Sequence, residues 1–179
     1  FRTIVACGKR SAKIHAKPRA TNKTIKGIGY ADFGACYKSF KSDVTVPFIK
    51  GEISKKERKV IEITLKAYHK AISSIKLNRP CWELFQKINK YLRKNKFEMP
   101  HGLGHGLGLS VHEYPSITMP KKKKLIGKRK RRWEKIKKMT FQKNMVFTIE
   151  PGIYVKGLGG CRIENDVLLT VKGPSILTH

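Results

Sequence analysis

Apolar positions recur near a 3.6-residue period in two stretches of the chain, and each stretch predicts an amphipathic helix. Val60, Ile61, Leu65, Tyr68 and Ile72 mark the first, over about 54–75. Trp82, Leu84, Phe85, Ile88 and Leu92 mark the second, over about 80–94, with Pro80 suited to its opening turn. Shorter β-branched runs predict strands. One covers 3–6; the segment 29–46 reads as two strands around a turn at Tyr37 and Lys38; and 145–155 with 161–171 make a second hairpin through the glycine-rich 157–160. Segment 100–112 alternates glycine with apolar residues and histidine. Each glycine costs a helix roughly 1 kcal/mol, so this segment is strand or loop. No internal repeat or linker divides the chain. The pattern gives a single domain over 1–179, α/β or α+β with one sheet, which the two helices cover.

Charge alters this picture. Of 179 residues, 40 are Lys or Arg and 12 are Asp or Glu, a formal charge of +28, while 40% hydrophobic content suffices for one core. No run approaches the roughly 20 apolar residues of a membrane span. The opening residues lack a basic segment followed by an apolar core and cleavage site, so secretion is not indicated. Cys7, Cys36, Cys81 and Cys161 have no metal-type spacing and read as reduced thiols of a cytoplasmic protein. The chain starts on Phe1 with a strand-like pattern, as a piece of something longer would. Twelve cations fall between Lys121 and Lys138 against one acid, Glu134. A run of this kind repels itself and predicts a mobile loop or frayed helix. Its sharper reading is contact with RNA or ribosomes, by counterion release and stacking of Trp133, although no RNA-binding signature accompanies it.

Scarce acids make their positions informative. Asp32, Asp43, Glu113, Glu150, Glu164 and Asp166, half of all the carboxylates, fall in three apolar and glycine-rich segments. A turn at Tyr37 and Lys38 sets Asp32 opposite Asp43, and a hairpin centred on Gly157 sets Glu150 opposite Glu164. Opposed residues have Cβ atoms roughly 4.5–5.5 Å apart, where like charges are destabilising unless a cation intervenes. Pro151 cannot donate to a ladder and implies an edge or bend beside Glu150. Four carboxylates match the charge of two divalent metals, with a bridging hydroxide completing the site. One imidazole would favour first-row transition metals over Mg²⁺ or Ca²⁺, and the glycine-flanked His105 is the candidate. His112 shares that site if the glycines at 104, 106 and 108 bend the chain.

Four ordered segments, DFGACYKSFKSDVT (32–45), HGLGHGLGLSVHEYP (101–115), TIEPGIY (148–154) and GGCRIENDVLLT (159–170), resemble the successive motifs of the pita-bread metallopeptidases. These comprise Xaa-Pro dipeptidase (prolidase), aminopeptidase P and methionine aminopeptidase. The resemblance covers the chain apart from a basic insertion at about 120–139. It implies an α+β pita-bread (creatinase/aminopeptidase-like) fold, a curved antiparallel sheet covered by helices. It also implies two divalent ions, Mn, Co, Zn or Fe: Asp32 chelates one, Asp43 and Glu164 bridge, and His105 and Glu150 complete the second. Glu150 would also carry the proton, His112 would stabilise the tetrahedral intermediate, and His15 matches an upstream active-site histidine. Arg162 and His101 match positions of the Xaa-Pro branch, which implies cleavage of short peptides with proline second. A methionine aminopeptidase-like activity and a non-catalytic homologue binding RNA or ribosomes are the alternatives.

Two departures stand out. Val46 and Pro47 occupy the place where the family usually has an arginine. The two helices that open the family's catalytic domain are missing, as in an N-terminally truncated chain. That absence predicts an apolar patch on one sheet face, covered by a missing N-terminal segment or by the second copy of a homodimer.

Overall fold

The computed structural model describes residues 2–17, 24–120 and 126–178. Strand β1 (Ile4–Cys7) runs into a 3-10 turn at Gly8–Ala12, followed by β2 (Gly27–Phe33), β3 (Cys36–Tyr37), β4 (Phe40–Lys41) and β5 (Val44–Lys50). Helices α1 (Lys55–Ile72) and α2 (Cys81–Lys94) come next, then β6 (Gly104–Gly106), β7 (Glu113–Ile117) and α3 (Gly127–Lys137). The chain closes with β8 (Val146–Ile149), β9 (Gly152–Val155), β10 (Gly159–Arg162), β11 (Asn165–Thr170) and β12 (Gly173–Ile176).

Both predicted helices are present, and α1 starts where its sequence says it should. Ser54 Oγ accepts from the Glu57 N–H at 3.3 Å, and Glu57 Oε2 accepts from the Ser54 N–H at 2.8 Å, a reciprocal cap that satisfies two otherwise orphaned donors. Val60, Ile63 and Ala67 of α1 and Leu84, Ile88 and Leu92 of α2 bury their apolar stripes with Phe141, Phe147, Ile149, Val167 and Leu169 in the main core. The helices thereby cover the face of β8 and β11 that carries Phe147, Ile149, Val167 and Leu169, opposite the face that carries Thr148 and Asp166.

The strands do not form one unbroken sheet. A three-stranded sheet has the order β1-β2-β5, and a five-stranded sheet the order β12-β11-β8-β6-β7; β9–β10 and β3–β4 are separate pairs. All are antiparallel, and an isolated Thr45–Glu164 bridge joins β5 to the link between β10 and β11. Pro151 explains the division. It interrupts the run 145–155, so β8 pairs with β11 while β9 turns away to pair with β10.

The basic segment is a helix where it is described; its first residues, 121–125, lie outside the described residues. Trp133 of α3 packs edge-on against Trp82 of α2, with ring centroids 6.1 Å apart, and Ile136 is buried. The indole proposed to stack on a base is thus a helix-packing residue. On the outer face of β1-β2-β5, Val5, Phe33 and Val46 are 47%, 42% and 47% exposed, which forms the apolar patch expected there. Among the described residues no helix is long and apolar enough to cross a membrane.

Candidate metal centre

The first hairpin departs from the expected register. Lys38 and Ser39 both have positive φ, 47° and 72°, so the turn lies one residue later than Tyr37–Lys38. Cys36 then pairs with Lys41, and Asp32 faces Thr45 instead of Asp43. Because strand side chains alternate, Asp43, two residues before Thr45, lies diagonally beside Asp32 on the same face. The second hairpin is centred on Gly157, with Gly152 opposite Arg162, and the Ile163 N–H donating to the Pro151 carbonyl at 3.3 Å extends that register toward Glu150 and Glu164.

Asp32, Asp43 and Glu164 offer oxygens within 4.8 Å of one another; so do donors of His105, Glu150 and Glu164, and those of Asp43, His105 and His112. Four carboxylates and the imidazoles of His105 and His112 therefore converge on a cavity of about 810 Å³. His105 Nε2 is 3.8 Å from Asp43 Oδ2 and 3.7 Å from Glu150 Oε1. Its Nδ1 donates to the Gly106 carbonyl at 3.1 Å, which leaves Nε2 as the lone-pair nitrogen facing the acids.

The electrostatics of this cluster fit a cation. Burial, reinforced by Asp32 and Asp166, pushes Asp43 up to about 7. Burial pushes Glu150 up to about 8, with Asp43 and Asp32 adding to it against the pull of Arg162. Glu164 is raised by burial and then by Glu150 and Asp43. Burial holds His105 down at about 4, so it is a neutral imidazole at pH 7. Oxygen-rich donors that cannot all ionise without a counter-charge, beside a neutral imidazole, are a donor set for transition-metal dications.

The other expected site residues surround this cluster. His112 is exposed but its ring lies against that of His105, centroids 4.3 Å apart and planes tilted by 45°, because the glycine-rich stretch after β6 bends as required. His15 is exposed and lines the same cavity. His101 Nδ1 donates to the Gly102 carbonyl at 2.7 Å and lies 3.5 Å from Glu150 Oε2, while its Nε2 accepts from Tyr154 Oη at 3.0 Å. Arg162 is 3% exposed and is shared among the site's anions and hydroxyls. It binds the Asp32 carboxylate, donates to Tyr154 Oη at 2.8 Å and to Thr45 Oγ1 at 3.0 Å, and lies 3.9 Å from Glu164. Glu113 instead accepts from the Ser110 N–H at 2.7 Å and closes a turn.

Three side chains were not singled out from the sequence. Thr45 Oγ1 donates to Glu164 Oε2 at 2.6 Å, Tyr154 joins Arg162 to His101, and Thr148 Oγ1 accepts from the His105 N–H at 3.2 Å. Asp43 lies just before β5, two residues from Thr45, and that spacing is the signal for Thr45 on the same face.

Comparison with known proteins gives the family and the fold. The model of metallopeptidase family M24 matches residues 1–171. The chain belongs to that family. The Xaa-Pro dipeptidase of Pyrococcus furiosus is 34% identical over 182 residues, covering 99% of this chain and 47% of that protein. The solved prolidase from Pyrococcus furiosus superposes with a TM-score of 0.84 at 34% identity, over 100% of this chain and 49% of its own. An X-Pro aminopeptidase structure from Thermotoga maritima gives 0.82 at 35% identity, over 100% and 47%. The fold is thus the α+β pita-bread fold of the M24 metallopeptidases, and the chain spans about half the length of these relatives.

Proposed function

We propose that this M24 chain holds two divalent cations and hydrolyses the bond between an N-terminal residue and proline. The observation that carries the reading is the convergence of Asp32, Asp43, Glu150 and Glu164 with the lone-pair nitrogen of His105 on one cavity. Asp32 would hold one cation, Asp43 and Glu164 both, and His105 and Glu150 the second. Lewis-acid activation of water and of the scissile carbonyl is the chemistry such a pair supplies when bound. Its similarity to an Xaa-Pro dipeptidase and an X-Pro aminopeptidase supports proline at the second position.

The chain's own groups account for the remaining work. Glu150, a carboxylate on the cavity wall, can take a proton and return it to the leaving imino nitrogen. His101, 3.5 Å from the same carboxylate, orients it. His112, beside His105 and lining the cavity, would stabilise charge developing on the substrate carbonyl. Arg162 fixes Asp32, and His15 lines the cavity wall.

The test is turnover of Ala-Pro and Ala-Ala with Mn²⁺ or Co²⁺, before and after chelation. Cleavage of Ala-Pro that vanishes with chelator and returns on remetallation supports the reading. Turnover indifferent to chelation ends the metal mechanism, and equal turnover of Ala-Ala ends the proline assignment.

A further inference from the structure

Asp166 on β11 and Thr148 on β8 are direct partners across the antiparallel ladder, so their side chains share one face. Each spends that side chain on the backbone of a candidate ligand from a different element. Both carboxylate oxygens of Asp166 lie 3.3 Å from the Asp43 nitrogen, and Thr148 Oγ1 accepts from the His105 N–H at 3.2 Å. The two ligands they hold face each other, with His105 Nε2 3.8 Å from Asp43 Oδ2.

Both supports are buried, Asp166 at 4% and Thr148 at 0% exposure. Among the described residues no Lys, Arg or His forms an ion pair with Asp166, so the Asp43 amide is the bonded partner of its carboxylate. Its own backbone is locked from the other side. The Asp166 N–H donates to Thr178 Oγ1 at 2.9 Å, and the Asp166 carbonyl accepts from the Leu177 N–H at 2.9 Å. A buried carboxylate is costly to keep and is explained by the backbone donor it satisfies.

We propose that Thr148 and Asp166 form a positioning pair that fixes the spacing between Asp43 and His105. The cross-strand register of β8 and β11 is thereby transmitted to two ligand-bearing segments that are not themselves paired with each other. Neither side chain is assigned as a metal ligand; both act through the main chain of residues that are. Partners of this kind change metal affinity by about 10–100-fold when removed.

Two measurements on the full chain test the pair. Hydrogen exchange of the metal-free protein reports the bonds directly, whether or not any peptide is cleaved. D166A should deprotect the Asp43 amide at least tenfold, T148V should do the same at His105, and D166N and T148S, which keep an acceptor, should stay within threefold of wild type. Mn²⁺ titration calorimetry should then rank the variants in the same order, with D166N and T148S binding close to wild type. Unchanged exchange at both amides in D166A and T148V overturns the proposal. So does D166N behaving as D166A in both measurements, since Asp166 would then act through charge. A wild-type protein that binds no Mn²⁺ sinks the metal-centre reading and leaves the exchange result to decide the pairing.

Discussion

Arg162 reaches across the floor of the site and binds the carboxylate of Asp32, and both side chains are buried. The guanidinium faces Asp32, Tyr154 and Thr45 at once, and it stacks over the Tyr30 ring with its central carbon 4.5 Å from the centroid. Arg162 thus brings a buried positive charge within reach of Asp32 and Glu164.

Removing one partner of a buried pair leaves the other uncompensated, at a cost of about 3–5 kcal/mol. Arg162→Leu is expected to lose stability on that scale in urea melts of the chelator-treated protein. A loss below about 1 kcal/mol, the level of an exposed pair, would show that Asp32 does not depend on it.

Asp43, like Glu164, belongs to two of the candidate donor groups. Metal analysis of protein equilibrated with Mn²⁺ should find about two ions per chain in the wild type and fewer than one in Asp43→Ala, as expected for loss of a bridging ligand. Equal content in both proteins would remove Asp43 from the site.

Stability of the metal-free chain should depend on pH in a defined direction. Asp43 and Glu150 have folded values near 7 and 8, above those of unfolded carboxylates, so the folded state binds more protons and stability falls as pH rises through that range. The depressed values of His101 and His105, about 4, act oppositely but are exhausted above the unfolded histidine value of about 6.5. Between about pH 6.5 and 8 the carboxylates alone remain, and the melting temperature should drop. Saturating Mn²⁺ should reverse that slope, because metal binding requires the deprotonated ligands. Calorimetric melts with and without chelator check both signs.

Gly104 allows β6 to approach β8. A Cβ there would lie 1.9 Å from the Thr148 carbonyl oxygen, a contact that only backbone movement could relieve. Gly104→Ala should therefore displace His105 and weaken Mn²⁺ binding, as read by calorimetry, with α1 and α2 retained in far-ultraviolet circular dichroism. By contrast, Ser54→Ala removes the α1 cap far from the site and should cost about 1 kcal/mol in urea melts with metal affinity unchanged.

The helices were legible because their apolar stripes and the Ser54 cap are local signals. The acidic convergence was legible because carboxylates are scarce in a chain of +28 charge. The pairing of Asp32 was not: its partner depends on whether the turn sits at Tyr37–Lys38 or at Lys38–Ser39, and neither pair carries the glycine or asparagine that marks such a turn. The split at Pro151 was anticipated as a bend, but its consequence, two strands entering different sheets, depends on Glu150 donating to the Leu103 carbonyl at 2.8 Å, a contact 47 residues away in sequence. Thr148 and Tyr154 stayed hidden for the same reason, since their roles exist only once distant segments meet.

The Thr45–Glu164 bridge lies where two sheets meet, and the donors of the site are divided between them: Asp32 and Asp43 on one side, His105 on the other, Glu150 and Glu164 at the seam. Cations gripped from both sides would act as a rivet through that joint. Loading the site would then be a mechanical event for this molecule, stiffening the strand framework against shear, and the rigidity that proteases and heat encounter should rise and fall with metal supply.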